Sequence, residues 1–439
     1  MRINKQIIPA SEHTITPEAI SDNALKVLHR LKQAGYQAFL VGGGVRDLLL
    51  KKQPKDFDVA TNACPDEVKA LFRNCRLIGR RFRLAHILYG RDVIEVATFR
   101  GPHEPELADS LGAHNQQGRI LRDNVYGSLE EDAIRRDFTV NALYYNIEDG
   151  SIVDFTGGIE DLQQQTLRMI GDAATRYRED PVRMLRAVRF AAKLNFTMEQ
   201  QTGSLIFEMG HLLSSIPVAR LFDESIKLLQ GGYGLRCFEL QREYQMFDLL
   251  FPMTEESIAE QPETLELIRQ ALINTDERIA AGKTVNPAFL LAVLLYKPML
   301  EYKGAFVHRG MHEIEALLNA GREVIARQQA YTSIPRRYAL IMREIWHMQP
   351  QLQHPTRKRA LRTLQNKRFR AGYDFLLLRQ LTGEEHLQTV CQWWTEIQTK
   401  DPGTQQQWCD NLAHGGKKRG KRRNRRRQKM TNRPAPSIE

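Results

Sequence analysis

Two aspartates separated by one residue are the clearest sign of chemistry in this sequence. Asp56 and Asp58 lie in residues 55–60 (KDFDVA), whose apolar residues and preceding turn residues predict a short strand. Residues two apart in a strand share a face, so the two carboxylates should lie side by side while Phe57 faces a core. Like charges this close favour a cation between them, and a hard divalent ion such as Mg²⁺ suits their oxygens. The alternative is a polar strand end with two solvated acids.

A glycine-rich turn lies thirteen residues upstream, counted from Gly43 to Asp56. Residues 38–41 (AFLV) predict a buried strand, and residues 45–50 predict the start of a helix. In a turn between such elements, the backbone at Gly42 and Gly43 could approach a phosphate closely. Arg46 would add a charged clamp, or else form a surface salt bridge. A triphosphate held here, next to cations held by the acids, is the arrangement that phosphoryl transfer needs.

A third acid lies in a later strand. Residues 84–89 and 93–99 both predict strands, and alternation in the second places Glu95 on the face opposite Ile94 and Val96. Glu95 is therefore a candidate third carboxylate of the metal site. A cross-strand salt bridge is the alternative.

The composition indicates a water-soluble protein with a separate basic tail. The 439 residues are 42% hydrophobic and carry a formal charge of +11, enough for two to four domains with sizeable cores. Residues 417–429 (KKRGKRRNRRRQK) hold ten cations and no acid, so removing them from +11 leaves about +1 for the rest. The five cysteines form no CxxC pair, which favours reduced thiols in a cytosolic protein. No apolar run is long enough to span a bilayer, and the N-terminus lacks a signal-peptide core.

The second half of the chain is predicted to be helical. Residues 181–194 predict a helix with one apolar face and a stripe of four cations, read either as a solvated face or as part of a nucleotide site. Helical periodicity recurs from about residue 195 to 400, where Trp393 and Trp394 are interpreted as core. From Gly415 the chain is predicted to be disordered and to attract phosphate backbones, with a membrane surface or the ribosome as the competing target.

Together these motifs resemble the class II nucleotidyltransferases, the group that holds bacterial poly(A) polymerases and CCA-adding enzymes. Residues 40–58 are similar to the family's first motif, with GG, VRD and DxD in order. The runs RRD (135–137) and NAL (141–143) are similar to its second motif, and DFTGGIEDL and LRMIGD to the next. Residues 179–183 (EDPVR) are similar to its base-contacting motif. The resemblance covers about residues 35–200.

The resemblance implies roles for individual residues. Asp56 and Asp58 would hold two Mg²⁺ ions, with Mn²⁺ as an alternative, and ATP would be the substrate. Arg136 would contact the phosphates, Asp137 and Asn141 the sugar. The base would be selected by Asp180 and Arg183.

Further residues favour poly(A) polymerases over CCA-adding enzymes. Residues 77–86 (LIGRRFRLAH) and 368–379 are similar to stretches of the former, and no His-Asp dipeptide marks a fused phosphohydrolase domain. The cations expected to contact RNA are Arg80, Arg81, Lys417, Lys418, Arg419, Lys421, Arg422, Arg423, Arg425, Arg426 and Arg427.

The expected activity is template-independent transfer of AMP from ATP to RNA 3′ ends, promoting RNA decay. The expected fold is α+β: a nucleotidyltransferase head (17–155), a helical neck (156–225), a helical RNA-binding body (226–412) and a disordered basic tail (413–439). We expect a cytoplasmic monomer whose candidate partners include RNA-decay proteins. The rivals are a CCA-adding enzyme, a catalytically inactive RNA-binding adaptor and a nucleotidyltransferase for small molecules.

Overall fold

The acidic strand lies inside a mixed β-sheet in the first part of the chain. The computed structural model describes residues 5–79, 83–101, 112–114, 120–123 and 125–412. Within these ranges the strands are β1 (Gln6–Ile8), β2 (Ala38–Val41), β3 (Asp58–Thr61), β4 (Cys75–Ile78), β5 (Leu84–Tyr89), β6 (Asp92–Thr98), β7 (Gly112–His114), β8 (Ile120–Asp123), β9 (Leu143–Tyr145), β10 (Ile152–Asp154), β11 (Thr166–Leu167) and β12 (Thr197–Met198).

Eight of these described strands form one sheet, in the order β1-β10-β9-β2-β3-β6-β5-β4. β3 is antiparallel to β2 on one side and parallel to β6 on the other, so it is hydrogen-bonded along both edges. Two small sheets, β7-β8 and β11-β12, lie apart from it in the pairing. The pair β7-β8 falls in residues 101–127, a polar stretch that shows too little alternation to predict strands from the sequence.

The helices were predicted largely from apolar periodicity. In the described ranges they are α1 (Asp22–Gln33), α2 (Gly43–Leu49), α3 (Pro65–Leu71), α4 (Leu129–Arg135), α5 (Gly158–Gln163), α6 (Ala173–Glu179), α7 (Val182–Leu194), α8 (Gln200–Met209), α9 (Val218–Leu229), α10 (Gly234–Glu243), α11 (Phe247–Leu250), α12 (Pro252–Glu260), α13 (Glu263–Ala280), α14 (Pro287–Leu294), α15 (Tyr296–His308), α16 (Glu313–Gln328), α17 (Arg336–Gln353), α18 (Ala360–Leu364), α19 (Phe369–Leu381), α20 (Gln388–Gln398) and α21 (Pro402–Asp410). The predicted fold class, α+β, is confirmed for this part of the chain.

Side-chain caps explain where two early helices begin. The Ser21 hydroxyl accepts a hydrogen bond from the Ala24 amide, so α1 starts at Asp22, and a separate 3-10 turn occupies Pro17–Ala19. At α4, Ser128 and Glu131 cap each other's backbone amides, which forms a capping box.

The chain divides into two compact units, Met1–Trp346 and His347–Glu439. The first contains the main sheet, whose core includes Phe39, Phe99 and Tyr144. In the second, Trp394 is fully buried, and its Nε1 donates to the Leu352 carbonyl at 2.8 Å. The prediction that Trp394 is a core residue is therefore confirmed.

Candidate active site

The acidic strand begins later than the sequence predicted. β3 starts at Asp58, so Asp56 and Phe57 precede it, and Asp56 is exposed while Phe57 is buried. A Cβ placed on Gly44 would lie 3.5 Å from the Asp56 carbonyl oxygen and 3.7 Å from the Phe57 ring. This segment thus packs against the first turn of α2, and Asp56 is presented from a loop beside the strand end.

Strand register brings three ionisable side chains together. Asp58 on β3 is paired with Glu95 on β6, and Glu95 is paired with His86 on β5. The His86 Nε2 lies 3.2 Å from the Glu95 Oε2. Glu95 therefore has both features that the sequence left open: it neighbours the acidic strand and takes part in a cross-strand pair.

The surroundings of Asp58 make its carboxyl difficult to ionise. Burial, with the nearby Glu95 and Asp56, raises the pKa of Asp58 to about 6, although Arg136 and His86 oppose the shift. A carboxylate destabilised in this way, with a second carboxylate acting on it, suits a hard divalent cation. Within the described residues, His, Cys, Asp and Glu side chains do not converge in groups of three that could hold a metal ion. The donor set that fits a metal here is the pair Asp56 and Asp58, with Glu95 as a neighbour.

An arginine side chain lies against the glycine turn next to these acids. Gly42 has φ +72° and ψ −130°, a conformation that residues with a side chain avoid, and α2 begins directly after it at Gly43. A Cβ on Gly42 would lie only 3.3 Å from the Nη1 of Arg136. The lack of a side chain at Gly42 therefore lets Arg136 approach the turn.

Arg136 is held in place by two partners. Its Nε donates to the Tyr144 hydroxyl at 2.9 Å, and its Nη2 donates to Asp132 Oδ2 at 3.1 Å. The Tyr144 hydroxyl itself donates to Asp132 Oδ2 at 2.6 Å. Burial alone would lower the pKa of Arg136, but Tyr144 and Asp132 raise it, so the guanidinium is charged throughout the physiological range. A fixed positive charge thus lies against the glycine turn and acts on Asp58.

The two residues implied to contact a sugar lie in one turn. Asp137 precedes the 3-10 helix Thr139–Asn141, and the Asn141 Nδ2 donates to Asp137 Oδ1 at 3.2 Å. Arg186 of α7 donates to the other oxygen, Oδ2, from its Nε at 2.9 Å. Burial opposes ionisation of Asp137, but Arg186 prevails and holds its pKa at about 2. The carboxylate is therefore ionised and oriented.

The backbone of this turn depends on the DFTGGIEDL segment. A Cβ on Gly158 would overlap the Thr139 carbonyl oxygen and lie 2.9 Å from its carbonyl carbon. The Thr139 hydroxyl donates to Asp161 Oδ2 at 2.6 Å. Asp154 accepts hydrogen bonds from the amides of Gly157 and Ile159, which anchors the start of α5. The segment thus packs against the backbone of the turn that carries Asn141 and holds that turn in place.

Arg46 lies beside the glycine turn, with its Nη2 3.6 Å from the position of a Cβ on Gly43, but it is buried. Its residue is 1% exposed, so it is neither a surface ion pair nor an open clamp. Its Nη1 donates to Asn141 Oδ1 at 2.5 Å, and its Nε and Nη2 donate to Asp47 Oδ1 at 2.8 and 2.6 Å. Arg46 is therefore part of the support of Asn141.

The two candidate base-contacting residues are partly buried and already paired. Asp180 accepts from Arg220 Nη2 at 2.7 Å, and Arg183 donates to Glu179 Oε2 at 2.8 Å. The Arg183 amide also donates to the Asp180 carbonyl at 2.9 Å, which fixes the start of α7. Both side chains are thus oriented before any nucleotide binds.

The basic stripe of α7 is not a solvated face. Its members are partly buried, and three pair with acids: Arg183 with Glu179, Arg186 with Asp137, and Lys193 with Asp47. The second interpretation of this stripe, as part of a site, therefore matches its position.

Several residues at the site were missed by sequence reasoning. Asp47, Asp132, Tyr144 and His86 all contact predicted site residues. Only Asp47, next to Arg46 in the first motif, carried a local signal. The cations Arg80 and Arg81, and those predicted in the tail from Lys417 to Arg427, lie outside the described residues.

Family models match three parts of the chain. They are the Poly A polymerase head domain over residues 38–168, the probable RNA and SrmB-binding site of polymerase A over residues 195–258, and the polymerase A arginine-rich C-terminus over residues 309–429.

Similarity to curated proteins extends over nearly the whole chain. A Poly(A) polymerase I of Salmonella typhimurium is 48% identical over 416 residues, which cover 94% of this chain and 90% of that protein. The chain belongs to the poly(A) polymerase family. A CCA-adding enzyme of Lactobacillus helveticus is 37% identical over 223 residues, covering 51% of this chain and 53% of that protein. The prediction of a nucleotidyltransferase closer to poly(A) polymerases than to CCA-adding enzymes is confirmed.

Solved structures share the fold of this poly(A) polymerase family member. A CCA-adding enzyme in an apo form matches with a TM-score of 0.62 at 22% identity, over 92% of this chain and 89% of that one. A tRNA nucleotidyltransferase complexed with a primer tRNA and an incoming ATP analog matches with a TM-score of 0.56 at 25% identity, over 85% and 98%. In the described part of the chain, no helix combines the length and apolarity that crossing a bilayer requires.

Proposed function

We propose that this protein adds AMP from ATP to RNA 3′ ends without a template. The observation that carries the proposal is the position of Arg136, whose Nη1 lies over the Gly42 turn and whose charge acts on Asp58. A phosphate-binding cation and turn next to paired carboxylates is the arrangement that nucleotidyl transfer requires. The related tRNA nucleotidyltransferase was solved with a primer tRNA and an ATP analog, which supports RNA and ATP as the partners.

Each part of ATP would meet a different group of residues. The triphosphate would lie against Gly42 and Gly43 with Arg136. The sugar would contact Asp137 and Asn141, whose side chains are hydrogen-bonded to each other. The base would meet Asp180 and Arg183 at the start of α7, and the pairs that these residues form would hold their polar edges still.

The metal cofactor that we infer is Mg²⁺, as two ions, with Mn²⁺ as an alternative. Asp56 and Asp58 would hold the ions, and Glu95 would add negative charge beside them. Ions at such a site lower the pKa of an attacking hydroxyl and neutralise charge on a departing pyrophosphate. The raised pKa of Asp58 supports this choice, because a bound dication would favour its ionised form.

The remaining expectations follow from the family and the sequence. We infer a cytoplasmic, monomeric enzyme of RNA decay, whose helical body and basic tail carry the RNA and whose partners include RNA-decay proteins. The domain bounds predicted from the sequence, with the head at 17–155 and the body at 226–412, stay part of this proposal.

The test is incubation of the purified protein with a generic RNA and each nucleoside triphosphate in turn. We expect long extension with ATP and Mg²⁺, and loss of extension in Asp56→Ala with RNA affinity retained. Growth limited to CTP and ATP on tRNA lacking its CCA end would instead identify a CCA-adding enzyme. RNA binding without any extension would identify an adaptor, and Asp56→Ala with unchanged activity would refute the assigned site.

A further inference from the structure

A continuous chain of polar contacts connects Arg46 to the residues proposed to contact the sugar. The Arg46 Nη1 donates to Asn141 Oδ1 at 2.5 Å, and the Asn141 Nδ2 donates to Asp137 Oδ1 at 3.2 Å. On its other side, Arg46 donates twice to Asp47 Oδ1, and Lys193 Nζ donates to Asp47 Oδ2 at 3.3 Å. Arg46 thus bridges an anchoring ion pair and the candidate sugar site.

Both ends of this chain of contacts lie on α7. Arg186, which binds Asp137, and Lys193, which binds Asp47, are seven residues apart, or about two helical turns, and so share a face. Phe190 lies between them, with its ring centroid 5.4 Å from the guanidinium carbon of Arg46 and 5.4 Å from that of Arg186. Helix α7 therefore contacts α2 through Lys193 and the Asp137 turn through Arg186, and the Phe190 ring lies between these two contacts.

The contacts fix which way the Asn141 amide points. Its oxygen faces the Arg46 guanidinium and its nitrogen faces the Asp137 carboxylate. If the amide were flipped, its N–H groups would face the Arg46 N–H and its oxygen would face the Asp137 carboxylate. Only one orientation is therefore stable. An amide can donate two hydrogen bonds and accept two, which leaves Asn141 one N–H and one lone pair for a ligand hydroxyl.

The same contacts argue against a phosphate role for Arg46. Three of its N–H groups are used within the protein, and the residue is 1% exposed. Arg136 is more accessible, with 24% of its side chain exposed, and its Nη1 lies over the Gly42 turn. The Arg46 Nη2 lies 3.6 Å from the position of a Cβ on Gly43, but it already donates to Asp47 and is shielded within the protein, so a triphosphate oxygen would reach Arg136 with less rearrangement.

We propose that Arg46, anchored by Asp47 and Lys193, is a positioning residue that orients Asn141 for the sugar hydroxyls of the incoming nucleotide. The inference rests on the proposed function, in particular on the contact of Asn141 with the sugar. It assigns sugar discrimination, rather than phosphate affinity, to the arginine of the first motif. It also assigns a role to Asp47, which sequence reasoning did not select, and to Lys193 of the basic stripe on α7.

The experiment compares single-nucleotide incorporation from ATP, 2′-deoxyATP and 3′-deoxyATP onto one RNA. For wild type we expect a preference for ATP over at least one deoxy analogue. In Arg46→Lys, which keeps the charge but loses the planar fork, that preference should fall about tenfold, the value of one hydrogen bond. Asn141→Ala should lower it similarly, and the double variant no further, since both act through one contact. Inhibition by pyrophosphate should be unchanged in Arg46→Lys.

Lys193→Met provides a second, milder variant at a partly exposed side chain, which is separated from Asn141 by Asp47 and Arg46. We expect its preference for ATP to fall by about twofold to fivefold, because Asp47 is left less well anchored. Lys303→Met is the matched control: Lys303 also pairs with an acid, Glu313 at 2.5 Å, but lies on α15 and should leave the preference unchanged.

Three outcomes would overturn the inference. Equal losses for all three nucleotides, with weakened pyrophosphate inhibition, would make Arg46 a phosphate ligand. A lowered melting temperature with unchanged preference in both Arg46→Lys and Lys193→Met would leave only a structural role. An unchanged preference in Asn141→Ala would refute the sugar contact and this inference with it, whereas absence of AMP incorporation by wild type would refute the proposed function itself.

Discussion

Asp58 and Glu95 are register partners on two adjacent parallel strands, so the charge of Glu95 acts on Asp58, and the charge of Asp56 adds to it. Burial and these neighbours raise the pKa of Asp58 from 3.8 to about 6. Between about pH 4 and pH 6, Asp58 therefore keeps its proton in the folded chain but has lost it in the unfolded chain. Stability without metal consequently falls as the pH rises through this window and stays lower above it.

We therefore predict that Asp58→Asn stabilises the metal-free protein at pH 8. The free energy of unfolding should rise by about 1–3 kcal/mol, since the substitution removes a partly buried charge that its neighbours oppose. At pH 4, where Asp58 is largely protonated, the variant and wild type should be equal. Urea unfolding in a chelator at both pH values measures this. The control Asp66→Asn, at an exposed side chain, should show no such dependence.

Addition of Mg²⁺ should reverse the order of stability of wild type and Asp58→Asn. The ion should raise the melting temperature of wild type at pH 8 and leave Asp58→Asn nearly unchanged, because binding to the folded state stabilises it by mass action. An equal increase in both proteins would place the metal elsewhere.

Local patterns predicted the elements of this site better than its contacts. β2 was placed correctly because its four apolar residues are bounded by a turn and a glycine. The face of Glu95 was also correct, since alternation sets it. Its pairing with Asp58 could not be predicted, because parallel pairing joins residues 37 positions apart without a local signal.

The burial of Arg46 shows the same limit more sharply. A cation just after a glycine turn indicates a surface position, and its partner Asn141 lies 95 residues further along the chain. The packing of α2 against β2, β9 and the turn that carries Asn141, with Phe190 of α7 over the guanidinium, makes the position interior. The start of β3 was misplaced for a related reason: packing against Gly44, rather than strand propensity, determines the course of Asp56 and Phe57.

Gly42→Ala should impair nucleotide binding as well as stability. The new Cβ would adopt a strained φ of +72° and lie 3.3 Å from Arg136 Nη1. We expect a loss of about 1–3 kcal/mol in the free energy of unfolding and a raised KM for ATP. Gly35→Ala is the control, because its φ is +87° but a Cβ there meets nothing within 4 Å. Gly35→Ala should lose stability by strain alone and keep the KM for ATP. If the KM for ATP rose equally in both variants, the contact with Arg136 would not be the cause.

Gly158→Ala should damage the turn that carries Asn141. Its Cβ would collide with the Thr139 backbone, which is rigid compared with a side chain. We expect a loss of about 3 kcal/mol from this overpacking, together with weaker preference for ATP over its deoxy analogues. The neighbouring Gly157→Ala, with φ +82° and open space around the Cβ, should cost about 1 kcal/mol from strain and keep that preference. Chemical unfolding and single-nucleotide incorporation separate the two, and similar behaviour of both variants would contradict the proposed contact.

Deletion of residues 415–439 should weaken RNA binding by an electrostatic route. Residues 417–429 carry ten cations, and each phosphate contact that is lost lowers the salt slope of log K by about 0.7 for single strands. The truncated protein should therefore bind RNA more weakly at low salt and show a slope smaller by several units, while the KM for ATP stays the same. Fluorescence anisotropy with a labelled RNA between about 50 and 200 mM salt gives both quantities. A variant with the cations of 417–429 replaced by glutamine is the matched control for chain length. If that full-length variant bound RNA with wild-type affinity and slope, the tail charge would have no part in holding RNA.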